Sequence, residues 1–198
     1  SAGAALAAAS SVHLILDNAG SELVADLALT SSLLTAGRQV KLHAKPHPTY
    51  VSDVTPADLA GTINRLEAED AKLTTQLRAG LHSGAVQVAT HPFWVSPLPF
   101  WRCPPDLVRD LATADVLIVK GDANYRRLLG DLHWEPTTPF GDIVRPPRPL
   151  VALRTAKSEV AAGLDPATLT AAAAADSDWM TNGRWGMIQF TPAPGGSG

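Results

Sequence analysis

The sequence holds one cysteine in 198 residues, Cys103, so no internal disulfide can form and no cluster of thiolates can hold an ion. That usage fits a reducing compartment, and with no evident base beside it Cys103 reads as a small apolar residue. There is no run of Lys or Arg, and the formal charge is −3. Nucleic acid is therefore not an expected partner, because a phosphate backbone is met by clustered positive charge. No apolar stretch approaches the roughly 20 residues that span a bilayer, and the Ala-rich start lacks the basic flank of a signal peptide. A soluble, cytoplasmic protein with no membrane partner is the expectation. Internal repeats, a Walker-type Gly-Lys-Ser/Thr loop and a Gly-x-Gly-x-x-Gly fingerprint are all missing.

What is present suits one substantial core: 45% hydrophobic and 18% charged residues. Short apolar runs at 12–16, 40–44, 85–89, 116–119, 150–153 and 185–190 alternate with segments of helical period. This alternation predicts a three-layer α/β/α, Rossmann-like domain around a mainly parallel sheet. Helices are expected from Ser21 to about Gly37, over one long stretch from Thr55 to Leu81, and around Leu107 to Leu111. A further helix should begin near Tyr125, capped by Asp122 or Asn124. The division is an Ala-rich segment 1–10, an α/β domain 11–191 and a flexible tail 192–198.

Asp17, Asp122 and Arg154 each follow an apolar run closely, so a parallel sheet would bring all three to its carboxyl edge, where open α/β proteins bind ligands. Asp17, Asn18 and Asp53 offer hard oxygen donors of the kind that suit magnesium or manganese. Arg154 and Lys157 supply cations for a phosphate, bidentate from the guanidinium and compact from the ammonium. Gly121 would let backbone amides approach an anion. Read from the residues alone, Asp17-Asn18-Ala19-Gly20 serves equally as a strand-to-helix turn, and Arg154 to Lys157 as a solvated helix start. His43 and His47 are spaced for a metal on a helix, but Pro46 and the strand reading spoil that geometry. His91 is a candidate substrate contact, and Trp94, Trp101 and Trp134 are candidates to line the crevice mouth.

An Asp after a strand invites comparison with haloacid dehalogenase-type phosphatases, whose second Asp two residues later is replaced here by Ala19. A different resemblance covers the chain from about Val12 to Phe190. Leu16-Asp17-Asn18-Ala19-Gly20-Ser21-Glu22-Leu23, Val51-Ser52-Asp53-Val54, Lys120-Gly121-Asp122-Ala123-Asn124-Tyr125-Arg126 and Arg154-Thr155-Ala156-Lys157 stand in that order. Together they resemble the damage-control phosphatases, in particular the Arg-Thr-x-Lys subgroup.

The resemblance implies metal ligation and catalysis by Asp17, Asn18 and Asp53. It also implies substrate contacts from Gly121, Asp122, Ala123, Asn124, Tyr125 and Lys157, to which the phosphate argument adds Arg154. Glu22 matches a position associated with S-adenosylmethionine binding. The implied activity is hydrolysis of small phosphorylated metabolites, sugar phosphates such as fructose 1-phosphate, with manganese, cobalt, nickel or magnesium. The family carries an N-terminal helical domain, so this chain is expected to be one part of a longer protein. Two rival classes are a carboxyl methyltransferase and a metabolite-binding domain without turnover.

Overall fold

The computed structural model describes residues 1–194, so the end of the predicted tail, 195–198, lies outside the described residues. Six strands form one sheet: β1 (Ser11–Ile15), β2 (Gln39–Ala44), β3 (Val86–Thr90), β4 (Val116–Lys120), β5 (Leu150–Thr155) and β6 (Gly186–Thr191). Their order is β3-β2-β1-β4-β5-β6, all parallel except β6, which runs antiparallel to β5. Each apolar run predicted as a strand is one, displaced at its ends by no more than two residues.

The pleat sends alternate side chains to opposite faces, and the two cores follow it. Val12, Leu14, Val116, Ile118 and Val151 meet α2 (Ser21–Thr35), α3 (Pro56–Leu66) and α4 (Ala71–Ser83). Ile15, Leu117, Val119, Leu150 and Ala152 meet α5 (Pro105–Leu111), α6 (Asp122–Leu128), α7 (Phe140–Ile143) and α8 (Pro166–Ala175). The α/β/α layering is thus present. A short α1 (Ala2–Ala8) leans on the first core through Ala5 and Leu6.

Two helix expectations need correction. The single helix predicted from Thr55 to Leu81 is two. The first starts at Thr55 as expected, on a reciprocal capping box with Asp58, and ends at Leu66; Asp70 then accepts from the Leu73 amide and starts the second. Ahead of α6 neither Asp122 nor Asn124 is the cap. Gly121 holds that position at φ 84, and the helix begins at Asp122, three residues earlier than expected. No helix among the described residues is long and apolar enough to cross a membrane.

Candidate active site

β1 and β4 are neighbours at the centre of the sheet, and their helices leave to opposite faces. The crevice beyond their carboxyl ends is the switch point at which such sheets bind ligands. Asp17 lies there, 1% exposed. The segment 52–54 is stitched against it: Val54 N donates to Asp17 O at 3.1 Å and Ala19 N to Ser52 O at 2.7 Å. This isolated antiparallel bridge, Asn18 to Asp53, is what brings Asp53 to Asp17 across 36 residues of chain.

Between the two carboxylates sits a residue that the sequence reading passed over, Lys45. Its Nζ donates to Asp17 Oδ1 at 2.8 Å, to Asp17 O at 3.0 Å and to Asp53 Oδ1 at 2.5 Å. The available signal was its place directly after β2, the same carboxyl edge that singled out Asp17. Asp53 Oδ2 also accepts from the Thr49 and Tyr50 amides at 2.9 and 2.8 Å. Asn18 is oriented at both ends, its Oδ1 accepting from Ser52 Oγ at 2.8 Å and its Nδ2 donating to Glu22 Oε2 at 3.1 Å.

The two carboxylates differ in acidity. Burial pushes Asp17 above the ordinary carboxylate range, and Lys45 opposes without overcoming it. Burial acts the same way on Asp53, but the Lys45 and Tyr50 hydrogen bonds and the charge of Lys45 outweigh it and hold the pKa low. One buried ammonium is thus shared by two buried carboxylates.

The other wall is β4 and the first turn of α6. A Cβ on Gly121 would lie 2.0 Å from Asp17 Oδ2, and the residue has a positive φ of 84, so only glycine fits. The Ala123 amide then reaches Asp17 as a donor. Asp122, Asn124 and Tyr125, expected as substrate contacts, are each hydrogen-bonded within the protein, with Asp122 and Asn124 at cleft walls. Asn124 Nδ2 donates to Leu16 O and Lys120 O, both at 2.9 Å, and so clamps the ends of β1 and β4 together. Tyr125 is 1% exposed, with its hydroxyl donating to Gln189 Oε1 at 2.6 Å. Asp122 Oδ1 accepts from Arg154 Nε at 2.7 Å, Ser158 Oγ at 3.2 Å and Lys157 N at 3.3 Å.

Arg154 was expected to grip phosphate. Its guanidinium is instead buried over the Tyr125 ring at 4.4 Å, with Nη1 on Val160 O at 2.5 Å and Nη2 on Ser158 O at 2.7 Å. Those bonds fold the segment after β5 back toward Asp122. Lys157, on that segment, is exposed.

Two clefts flank Asp17. One, of about 290 Å³, is lined by Lys45, Tyr50, Asp53, Leu98, Arg126 and Arg127. The other, of about 670 Å³, is lined by Glu22, Lys120, Gly121, Asp122, Arg154 and Lys157. Trp94 borders the first, whereas Trp101 and Trp134 line a separate apolar groove with Cys103, whose thiol burial and Asp106 push up to about 11. His91 pairs with Asp106 at 3.3 Å and His47 is exposed. His43 belongs to another cluster, in which ligand atoms of His13, His43 and Asp110 lie within 4.8 Å of one another.

A profile of the damage-control phosphatase ARMT1-like domain matches residues 2–171. The protein named Damage-control phosphatase ARMT1 in Danio rerio is 39% identical over 191 residues, 91% of this chain and 43% of that protein. The Homo sapiens protein of that name is 34% identical over 195 residues, 93% of this chain and 44% of its own length. The chain therefore spans less than half the length of these relatives. A solved DUF89 family protein from Pyrococcus horikoshii superposes with a TM-score of 0.48 at 19% identity, over 81% of this chain and 47% of that one.

Proposed function

From the premise that this chain belongs to the ARMT1-like damage-control phosphatase family, we propose that it hydrolyses phosphomonoesters of small metabolites, sugar phosphates in particular, at the crevice around Asp17. The observation that carries the reading is the convergence of Asp17 and Asp53 on the ammonium of Lys45, beside the first turn of α6. Two buried carboxylates and one amide oxygen form a hard-oxygen donor set, and a positively charged group already lies between the carboxylates, so the residues fit a divalent cation. Asp17, Asn18 and Asp53 would hold it, with manganese, cobalt, nickel or magnesium as candidates. Once bound it would offset charge on the phosphoryl oxygens.

The rest is the work of the chain. Lys45 holds the two carboxylates in place and supplies positive charge at the floor of the smaller cleft. Lys120 and Lys157 line the larger cleft, where they can meet phosphate oxygens as point charges. Asp122 and Arg154 are positioning residues: through Ser158 and the Lys157 amide they set where Lys157 stands. Ser52 and Glu22 fix the amide of Asn18 with its oxygen toward the 52–54 segment. The Tyr50 and Leu98 rim, with Arg126 and Asp131 beside it, offers apolar surface and hydrogen-bonding groups for the polyol part of a substrate. Cleavage of the ester P–O bond by water releases inorganic phosphate and the alcohol.

The test is the pair Asp17→Asn and Asp53→Asn, assayed for phosphate release from fructose 1-phosphate with manganese or cobalt present. Each should reduce turnover at least 100-fold while circular dichroism stays unchanged. Near-normal turnover and metal affinity in both variants would remove this site.

A further inference from the structure

We infer that His13, His43 and Asp110 form a second cation site, selective for a borderline-soft transition ion such as zinc or cobalt and separate from the oxygen-donor set at Asp17. His13 lies on β1 and His43 on β2, both on the sheet face that α5 covers, and Asp110 comes from α5 itself. His13 Nδ1 and His43 Nε2 stand 3.1 Å apart, and His43 Nε2 lies 3.8 Å from Asp110 Oδ2. Two imidazole nitrogens bound to one tetrahedral zinc at 2.0–2.1 Å are about 3.3 Å apart. The three donors are thus close to the spacing an ion needs, and they are held there by strand register and helix packing.

Their protonation suits the role. Burial depresses His13 to about 4 and His43 to about 3, so both rings are neutral at pH 7 and carry lone pairs. One proton is now shared between the facing nitrogens. In the bound state each ring carries its hydrogen on the far nitrogen: His13 Nε2 faces Thr113 Oγ1 at 3.4 Å, and His43 Nδ1 is buried with no partner among the described residues. Nitrogen ligands with a carboxylate distinguish this site from the oxygen set, which suits hard cations. Access comes from the amino edge of the sheet, where a cavity of about 220 Å³ reaches His13, Lys41 and Thr113.

Lys41 is the built-in competitor. Its Nζ sits 2.6 Å from Asp110 Oδ1, and its side chain is 21% exposed, so it can swing to solvent when an ion takes the carboxylate. An affinity gain on removing that ammonium is a signature that a purely structural His-His-Asp contact would not give.

The experiment measures zinc and cobalt bound to chelator-stripped chain by mass spectrometry of the metal, together with the visible spectrum of the cobalt form. The parent is compared with the double variant Asp17→Asn/Asp53→Asn, and with Asp110→Asn, His43→Gln and Lys41→Gln. The double variant should still bind one zinc per chain, so this result stands whether or not the phosphatase reading does. Asp110→Asn should weaken that site at least tenfold, His43→Gln should abolish it, and Lys41→Gln should tighten it several-fold. Should His43→Gln not fold, Asp110→Asn and Lys41→Gln decide alone. No zinc bound to the double variant at 100-fold excess over chain, or unchanged affinity in both Asp110→Asn and Lys41→Gln, overturns the inference.

Discussion

Asp17 meets Lys45 on one side and the first turn of α6 on the other, and both contacts are made by groups that can favour its charged form. Burial still outweighs both, so the pKa of Asp17 stands above the ordinary carboxylate value, and added positive charge would favour its anion. Lys157 is the exposed cation nearest in design to that task, since its backbone is tied to Asp122 while its side chain lines the larger cleft. Lys157→Met should raise KM for sugar phosphates and also lower kcat, because charge on the transferred group grows in the transition state. Unchanged kinetics would place the ammonium outside the reaction. A different buried acid, Asp26, is pushed up to about 6, by burial first, despite Lys120 at 2.9 Å. Its ordinary value is 3.8, so the folded state holds a proton that the unfolded state has lost between these values. Stability should therefore fall as pH rises from about 4 to 6 and level off above, by about 3 kcal/mol for this group. Asp26→Asn should flatten that slope in denaturant titrations; a slope that survives would assign it to other groups.

At the scale of elements, the strands and the capped start of α3 were legible because their signals are local. Alternating or continuous apolar runs mark the strands, and Thr55 and Pro56 mark a helix start by residue type, although the return bond from Asp58 is seen only in the structure. The break between α3 and α4 was not, since Leu59, Ile63, Leu66, Leu73 and Leu77 keep a helical spacing across it. Glu67 to Glu69 contain no Gly or Pro, and only the cap at Asp70 reveals the restart. Asp70→Ala should cost about 1 kcal/mol in chemical unfolding, the usual loss for a removed N-cap. A loss below a few tenths would mean that α4 starts on its packing alone. Arg154 shows the reverse difficulty. Its residue type and position suit phosphate, but tertiary contacts with Ser158 and Val160, invisible in the sequence, turn it inward. Lys45 was missed for a related reason: Asp17 reaches it through the β1–β2 pairing, but Asp53 meets it only through the 52–54 bridge.

For the whole molecule, a sheet whose strand order turns at β1 and β4 gathers Asp17, Lys45, Asp53, Lys120 and the α6 turn at one edge from separate stretches of chain. The placement of Asp17 and Asp122 directly after apolar runs pointed to that edge, although it did not show which side chains would be consumed in building it. Glu22 is one of these: it accepts from Asn18 and lies 3.9 Å from Lys120, at the wall of the larger cleft. The chain covers 43% of the length of its Danio rerio relative, so the measurement must be made on the chain as it stands. The most direct is a paired assay of the purified chain, with and without Glu22→Gln, given fructose 1-phosphate and manganese or cobalt in one arm and S-adenosylmethionine with a protein acceptor in the other. The account predicts metal-dependent release of inorganic phosphate and no methyl transfer. Methyl transfer that depends on Glu22, with no phosphate released under either metal, would contradict it.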